Sequence, residues 1–307
     1  FYINYLMFGS LQKTIKDTIQ LEGVGLHNGV KVNIFLKPSE ANSGIVFKRT
    51  DLDNNNIIEA NYKNVASPIL CTKIKNSYDV TISTIEHLMA AFYGEGIDNI
   101  LVEIDAPEIP IMDGSSFDFV EAIKSVGTEE QKYSKKFIKV LKKFELKNGS
   151  KYISIEPLER DLIIDFEIVY KNSLIRTRRK EFKLSAGDLA SIYNSRTFCL
   201  YEDIDQIKSQ GLAKGGSLEN AIVVNDTRIL NEDGLRYRDE FVSHKILVCL
   251  GDLMLLAHRV FGRIQISQGG PHLTNTFLRE FMSDKSNWEF QTFDEKQKNI
   301  RDSRYFR

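Results

Sequence analysis

The sequence contains few cysteines, and no two of them form a CxxC motif. Cys71, Cys199 and Cys249 are the three cysteines in 307 residues. An odd number without a CxxC pair argues against a disulfide framework and against the common cysteine-rich zinc sites. We therefore expect reduced thiols in a cytoplasmic protein.

Strong net charge and long apolar runs are also absent. The net charge is −1, so no overall positive field favours binding to nucleic acid or to an anionic membrane. No apolar run reaches the roughly 18–20 residues that span a bilayer, and we expect no transmembrane segment. Residues 1–6 are apolar but lack a basic flank, so they are a poor signal peptide. Because the first methionine is Met7, we interpret residues 1–6 as an upstream extension.

The glycine pattern excludes the two commonest phosphate-binding loops. Gly23 and Gly25 match the first half of a dinucleotide fingerprint, but the third glycine is missing. No GxxxxGK[ST] sequence occurs anywhere in the chain. Basic residues are not interleaved with aromatic ones, which argues further against a nucleic-acid partner.

The order of predicted elements favours an α+β fold with two domains. A chain of 307 residues exceeds one typical core. In each half, strand-like alternation comes first and helix-like periodicity follows, an order that argues against a doubly wound parallel sheet. We place the domains at residues 1–134 and 135–307, with the polar stretch 128–134 as the linker.

Helices are predicted where apolar periodicity is bounded by capping residues and glycines. Strands are predicted where residues alternate or form short apolar runs. The predicted helices cover residues 85–93, 117–126, 186–193, 202–209, 239–260 and 273–282. The predicted strands cover residues 30–36, 45–47, 100–104, 137–141, 152–155, 162–169 and 263–267.

Three histidines stand in patterns with both an ordinary and a functional interpretation. His87 follows Glu86 in a first helical turn, where Ser83 and Glu86 also fit a capping box. His244 lies in an apolar helix, where a lone histidine is more often a core residue than a ligand. His272 lies at a loop-to-helix junction, where it is either exposed or a proton donor near neutral pH.

Ten short motifs favour the functional interpretation of these histidines, because they follow one another in the order of a known family. The match extends from about residue 12 to residue 293, so it does not rest on any single motif. The sequence resembles the UDP-3-O-acyl-N-acetylglucosamine deacetylases, the zinc amidases of lipid A biosynthesis. The motifs cover residues 23–29, 82–88, 96–99, 107–115, 196–198, 215–218, 231–236, 244–245, 251–253 and 272–275.

The resemblance implies two similar domains, each a layer of helices on a sheet, with the helices sandwiched between the sheets. It implies Zn²⁺ as cofactor, the acylated sugar nucleotide as substrate, and a monomer. The family pattern makes His87 and His244 metal ligands. It makes Glu86 the general base, His272 the proton donor oriented by Asp252, and Thr197 the oxyanion donor, and it places Phe198 and Lys245 against the substrate.

The sequence departs from the family at one position. The family's third ligand is an aspartate four residues after the second histidine, and this position is Val248. Valine has no lone pair, so zinc binding and turnover are expected to suffer. Cys71 is the candidate substitute ligand, and Glu240 or an additional water are alternatives. Cys249 points about 140° away from His244 on a helix.

Three hypotheses follow from this departure. The chain is an active or weakly active deacetylase with a substitute ligand, or a non-catalytic paralogue that retains substrate binding or a regulatory role. The third is a stable fold with no remaining ligand.

Overall fold

The computed structural model describes residues 7–66 and 70–293. The predicted upstream extension, residues 1–6, lies outside this part of the chain. In the N-terminal half, alternation buries every second residue of Lys31–Pro38, including Val32, Ile34 and Leu36. This strand belongs to a five-stranded sheet with the order Ile19–Val24, Lys31–Pro38, Ile100–Ile104, Ile45–Arg49, Ile57–Glu59.

The C-terminal half forms a seven-stranded sheet around the long strand Arg259–Ser267. This strand runs parallel to Phe137–Val140 and Leu162–Ile168 and antiparallel to Lys151–Glu156. The remaining strands are Phe144–Asn148, Arg178–Lys183 and Trp288–Gln291. Each half thus contributes one sheet to the α+β fold that was predicted.

Within residues 7–66 and 70–293, three further strand pairs lie outside the two sheets. Ile74–Lys75 pairs with Thr81–Ile82, and Phe198–Leu200 pairs with Ile222–Val224. Thr128–Ser134, predicted as a linker, is a strand that pairs antiparallel with Leu11–Ile15. Its polar residues lie at the surface, so no apolar alternation marked it as a strand.

Six α-helices are present in the described residues. They are α1 Glu86–Glu95, α2 Phe117–Val126, α3 Leu189–Tyr193, α4 Ile204–Ser209, α5 Glu240–Met254 and α6 Pro271–Ser283. Each lies within or near a predicted helix. The predicted helix 239–260 was too long: α5 ends at Met254, and residues from Arg259 onward form the central strand of the C-terminal sheet.

Helices α1 and α5 pack directly against each other between the two halves. A Cβ added to Gly251 of α5 would lie 2.1 Å from the carbonyl oxygen of Glu86, so only glycine permits this approach. Helix α2 packs beside α1, and α6 packs beside α5. Helices therefore lie between the sheets, and the predicted α+β fold class is confirmed.

A buried arginine ties the C-terminal sheet to the end of α1. Arg259 is 1% exposed, and its guanidinium donates to Asp98 at 2.7 Å. It also donates to the carbonyl oxygens of Phe92 and Tyr93 in the last turn of the helix. This contact fixes the orientation of α1, which carries Glu86 and His87.

Among the residues that the structure describes, no helix combines the length and apolarity needed to cross a membrane.

Candidate active site

The first turn of α1 presents Glu86 and His87 without the predicted capping box. The helix has Ile85 at its N-cap, and no side chain caps it. Thr84 has a φ of 58°, so the backbone turns sharply just before the helix. The Glu86 carboxylate instead accepts a hydrogen bond of 3.0 Å from the backbone N–H of Thr72. The carboxylate therefore points to the segment that contains Thr72 and does not cap its own helix.

Burial raises the pKa of Glu86 to about 8. The side chain is almost fully enclosed, and the nearby carboxylates of Asp252 and Glu108 raise the pKa further. Hydrogen bonds from backbone N–H groups oppose this shift. A carboxylate whose pKa lies near the working pH is suited to take and return a proton, as a general base must.

His87 on α1 and His244 on α5 meet across the helix contact. Their ring centroids are 5.0 Å apart and the rings are nearly perpendicular, at 86°. Burial lowers the pKa of His87 to about 4 and holds that of His244 well below its usual range. Both rings are therefore neutral near pH 7, the form that binds metals.

The ring nitrogens leave lone pairs for a ligand. His244 Nδ1 lies 3.1 Å from the carbonyl oxygen of Ser195, which only accepts, so Nδ1 carries the proton and Nε2 is the free acceptor. His87 Nδ1 is buried and has no hydrogen-bond partner in the described part of the chain. A buried nitrogen without a partner, in a ring 5.0 Å from a second histidine ring, suits a metal ligand.

The third ligand position is not filled. Val248 lies one turn beyond His244 on α5 and is half-buried. Across residues 7–66 and 70–293, no three His, Cys, Asp or Glu side chains gather as a metal-binding group. The residues present therefore match two of the three family ligands and do not fit a three-residue zinc site.

The candidate substitutes have other surroundings. Glu240 is fully buried and accepts from Arg196 Nε at 2.8 Å and from the backbone N–H of Arg236 at 2.7 Å. Its charge is thus already paired. Burial and the Glu86 carboxylate raise the pKa of the Cys71 thiol to about 12, which opposes the thiolate that zinc requires.

Asp252 is held by a threonine. Its Oδ1 accepts a hydrogen bond of 2.7 Å from the Thr72 hydroxyl, and its Oδ2 has no partner among the described residues. Burial raises the pKa of Asp252 to about 7, partly offset by the Thr72 hydrogen bond. This group changes charge near neutral pH.

His272 is less closely engaged than the resemblance implies. It lies in the first turn of α6 and is exposed. The structure gives its ring no hydrogen bond to Asp252 within the described residues. A small cavity of about 20 Å³ nevertheless lies between α5 and α6, and it is lined by Val248, Asp252, Pro271 and Thr274 among others.

Thr197, Phe198 and Lys245 lie on the His244 side of the site. The backbone of Thr197 is fixed by hydrogen bonds of 2.8 Å to Gly114 and to Ile222. The Lys245 ammonium lies 5.4 Å from the centre of the Phe198 ring, which is itself 6.3 Å from the ring of His244. Burial lowers the pKa of Lys245. These positions agree with substrate contacts close to the paired histidines.

Two residues that hydrogen-bond to the candidate site residues were not predicted from the sequence. Thr72 bonds to both buried carboxylates, and Ser195 orients His244. Both residues lie far along the chain from their partners, so no regular sequence spacing indicates the contacts. Only the adjacency of Thr72 to Cys71 pointed to this segment.

Comparison with known proteins agrees with this arrangement. The family model described as "LpxC: UDP-3-O-acyl N-acetylglycosamine deacetylase" matches residues 12–283. The UDP-3-O-acyl-N-acetylglucosamine deacetylase of Pasteurella multocida is 44% identical over 289 residues, covering 93% of this chain and 94% of the relative. The proteins of the same name from Actinobacillus succinogenes and Tolumonas auensis are 43% and 41% identical, covering 94% and 92% of this chain and 95% and 94% of the relatives.

Both the family model and these relatives extend over the two halves and over every candidate site residue. The chain therefore belongs to the UDP-3-O-acyl-N-acetylglucosamine deacetylase family.

Proposed function

We propose that this chain hydrolyses the N-acetyl group of UDP-3-O-acyl-N-acetylglucosamine, with a rate limited by an incomplete metal site. The products are acetate and the 2-amino sugar nucleotide, in an early step of lipid A biosynthesis. The observation that supports this most is the buried His87–His244 pair, with ring centroids 5.0 Å apart and Glu86 directly before His87 on α1.

Zn²⁺ is the cofactor we propose, held by His87 and His244 alone among the family's three positions. In such enzymes zinc lowers the pKa of a water and polarises a carbonyl. Loss of a supporting residue around a metal typically costs about 10–100-fold in affinity or activity, and loss of a ligand should cost more. Val248 therefore predicts weak zinc binding. The raised pKa of the Cys71 thiol argues against Cys71 as the substitute ligand.

The chain's own residues supply the proton transfers and the binding contacts. Glu86 takes the proton of the attacking water, because a carboxylate with a pKa close to the working pH both accepts a proton and returns it. The Thr197 hydroxyl is the proposed donor to the developing oxyanion. His272, close to the cavity beside Asp252, is the proposed donor to the departing amine, and Lys245 with Phe198 contacts the substrate.

A second candidate is favoured by the same valine. A paralogue that binds the sugar nucleotide without turning it over would retain Lys245 and Phe198 and tolerate Val248. The two candidates differ in turnover and agree in substrate binding.

Acetate release from substrate with a labelled N-acetyl group decides between them. Purified protein should be assayed with added zinc beside Glu86→Gln, which keeps the shape of the side chain and removes the base. We expect slow release that Glu86→Gln lowers by about 10²–10⁴-fold. Substrate binding without release from the unmodified protein would contradict the enzymatic proposal and support the paralogue.

We also propose a cytoplasmic location and a monomeric state. Cys71, Cys199 and Cys249 are free thiols in the structure, which agrees with a reducing compartment.

A further inference from the structure

Thr72 is a buried residue that contacts both carboxylates of the candidate site. It is 1% exposed and precedes the short strand Ile74–Lys75. Its backbone N–H donates to Glu86 Oε2 at 3.0 Å, and its hydroxyl donates to Asp252 Oδ1 at 2.7 Å. One residue therefore supplies a donor to an acid on α1 and a donor to an acid on α5.

The position of Thr72 is itself fixed by α1. Its carbonyl oxygen accepts a hydrogen bond of 3.3 Å from the N–H of Ile85, the N-cap of that helix. The two donors are thus held in place before either carboxylate binds them. A donor that is already ordered loses little entropy when it makes its bond.

The helices give the two carboxylates little freedom to find other positions. Gly251 precedes Asp252, and its backbone lies against the carbonyl of Glu86, where a Cβ would be only 2.1 Å away. Glu86 and Asp252 are 5% and 4% exposed, so water does not replace a lost donor at low cost.

We propose that Thr72 is a positioning residue of the hydrolytic reaction, which holds the Glu86 and Asp252 carboxylates at a set separation by donating to both. The expected effect on turnover rests on the proposed function. The expected effect on the Asp252 carboxylate rests only on the hydrogen bonds described above. The hydroxyl acts on Asp252 and the backbone N–H acts on Glu86, so a side-chain substitution removes only the first contact.

Two substitutions separate the hydroxyl from the bulk of the side chain. Thr72→Val keeps the volume and removes the donor, whereas Thr72→Ser keeps the donor. Thr14→Val is a matched control, because Thr14 is also buried and its hydroxyl accepts from Ser39 N at 3.1 Å, away from the site. Thermal unfolding of all three variants establishes that each is folded.

The first readout is the carboxyl ¹³C signal of Asp252, assigned by its loss in Asp252→Asn. The Thr72 hydroxyl stabilises the charged form of the Asp252 carboxyl by donating to it, so Thr72→Val should raise the carboxyl pKa by about one unit or more. Thr72→Ser and Thr14→Val should leave it unchanged. An unchanged Asp252 titration in Thr72→Val overturns the proposal.

The second readout is the division between kcat and KM for acetate release. We expect Thr72→Val to lower kcat about tenfold with little change in KM, and Thr72→Ser to restore it. Equal losses in Ser and Val variants would mean a merely structural role and overturn the proposal. If the unmodified protein releases no acetate, the proposed function fails, while the Asp252 titration still decides whether Thr72 positions the carboxylate.

Discussion

His87 and His244 face each other edge to face across the contact between α1 and α5, with ring centroids 5.0 Å apart. The two rings come from different halves of the chain, and the glycine at position 251 lets the helices approach closely enough to bring them together. The two histidines that the family pattern pairs therefore lie side by side in the structure, while the position of the third family ligand is Val248.

Replacement of Glu240 should reduce stability without changing zinc affinity. The carboxylate is fully buried and pairs with the Arg196 guanidinium, so Glu240→Gln leaves a buried cation poorly compensated. Breaking such a pair typically costs about 3–5 kcal/mol of unfolding free energy. Urea unfolding and zinc titration measure the two quantities.

The control is Glu156→Gln, which removes an exposed ion pair with Lys143 and should change stability by less than about 1 kcal/mol. A fall in zinc affinity for Glu240→Gln, with stability preserved, would instead identify Glu240 as a ligand.

Cys71 should react slowly with thiol reagents and contribute little to zinc binding. Its pKa of about 12 leaves roughly one thiolate in ten thousand at pH 8. We expect native Cys71 to be alkylated far more slowly than the denatured protein, as followed by mass spectrometry of the labelled peptide. Cys71→Ser should retain the zinc affinity of the parent, and a loss of about tenfold or more would show that the thiol is a ligand after all.

Asp252→Asn should stabilise the fold in a pH-dependent way. The folded-state pKa of Asp252 is about 7, above its ordinary value of 3.8, so the unfolded chain loses this proton first as pH rises. The protonated Asp252 carboxyl therefore makes its full contribution to the free energy of unfolding at low pH, and this contribution is lost as the pH rises to about 7. The advantage of the asparagine variant should grow from about pH 4 to 7 and then stay constant, reaching roughly 2–4 kcal/mol.

Urea unfolding of both proteins between pH 4 and pH 8 measures this difference. A constant difference over the whole range would show that the Asp252 carboxyl is not perturbed.

Gly251→Ala should destabilise the α1–α5 contact. A Cβ at this position would meet the backbone of Glu86, which cannot rotate away as a side chain can. Overpacking of this kind costs about 1–3 kcal/mol, and it should also change the ultraviolet or NMR signals of His87 and His244. Gly270→Ala is the control, since nothing lies within 4 Å of its Cβ position. Equal stability for the two variants would contradict the close helix contact.

The extent to which sequence predicted this structure differs between fold and site. Helix 117–126 and strand 100–104 were predicted with the observed bounds, because both have clear periodicity and flanking glycine or polar residues. The family motifs located both histidines and Glu86 on the correct elements. By contrast, strands such as Trp288–Gln291 were missed, since a short strand with two exposed residues resembles a loop.

The capping box at Ser83 and Glu86 was a wrong prediction, and the reason is tertiary. The local pattern favoured it, but Thr84 adopts a left-handed conformation and the Glu86 carboxylate bonds to Thr72, fourteen positions earlier. Contacts such as Thr72 to Asp252, which are 180 residues apart, leave no periodic signal in one sequence.

The decisive measurement is the zinc affinity of the unmodified protein beside that of Val248→Asp, by competition with a chelator. It tests whether Val248 is the reason for weak zinc binding. Val248→Ala serves as the control, because it changes the same side chain without adding a donor. We predict that Val248→Asp binds zinc at least about tenfold more tightly than the parent and releases acetate faster, while Val248→Ala does neither. Equal zinc affinity and equal acetate release in the parent and Val248→Asp would contradict the account.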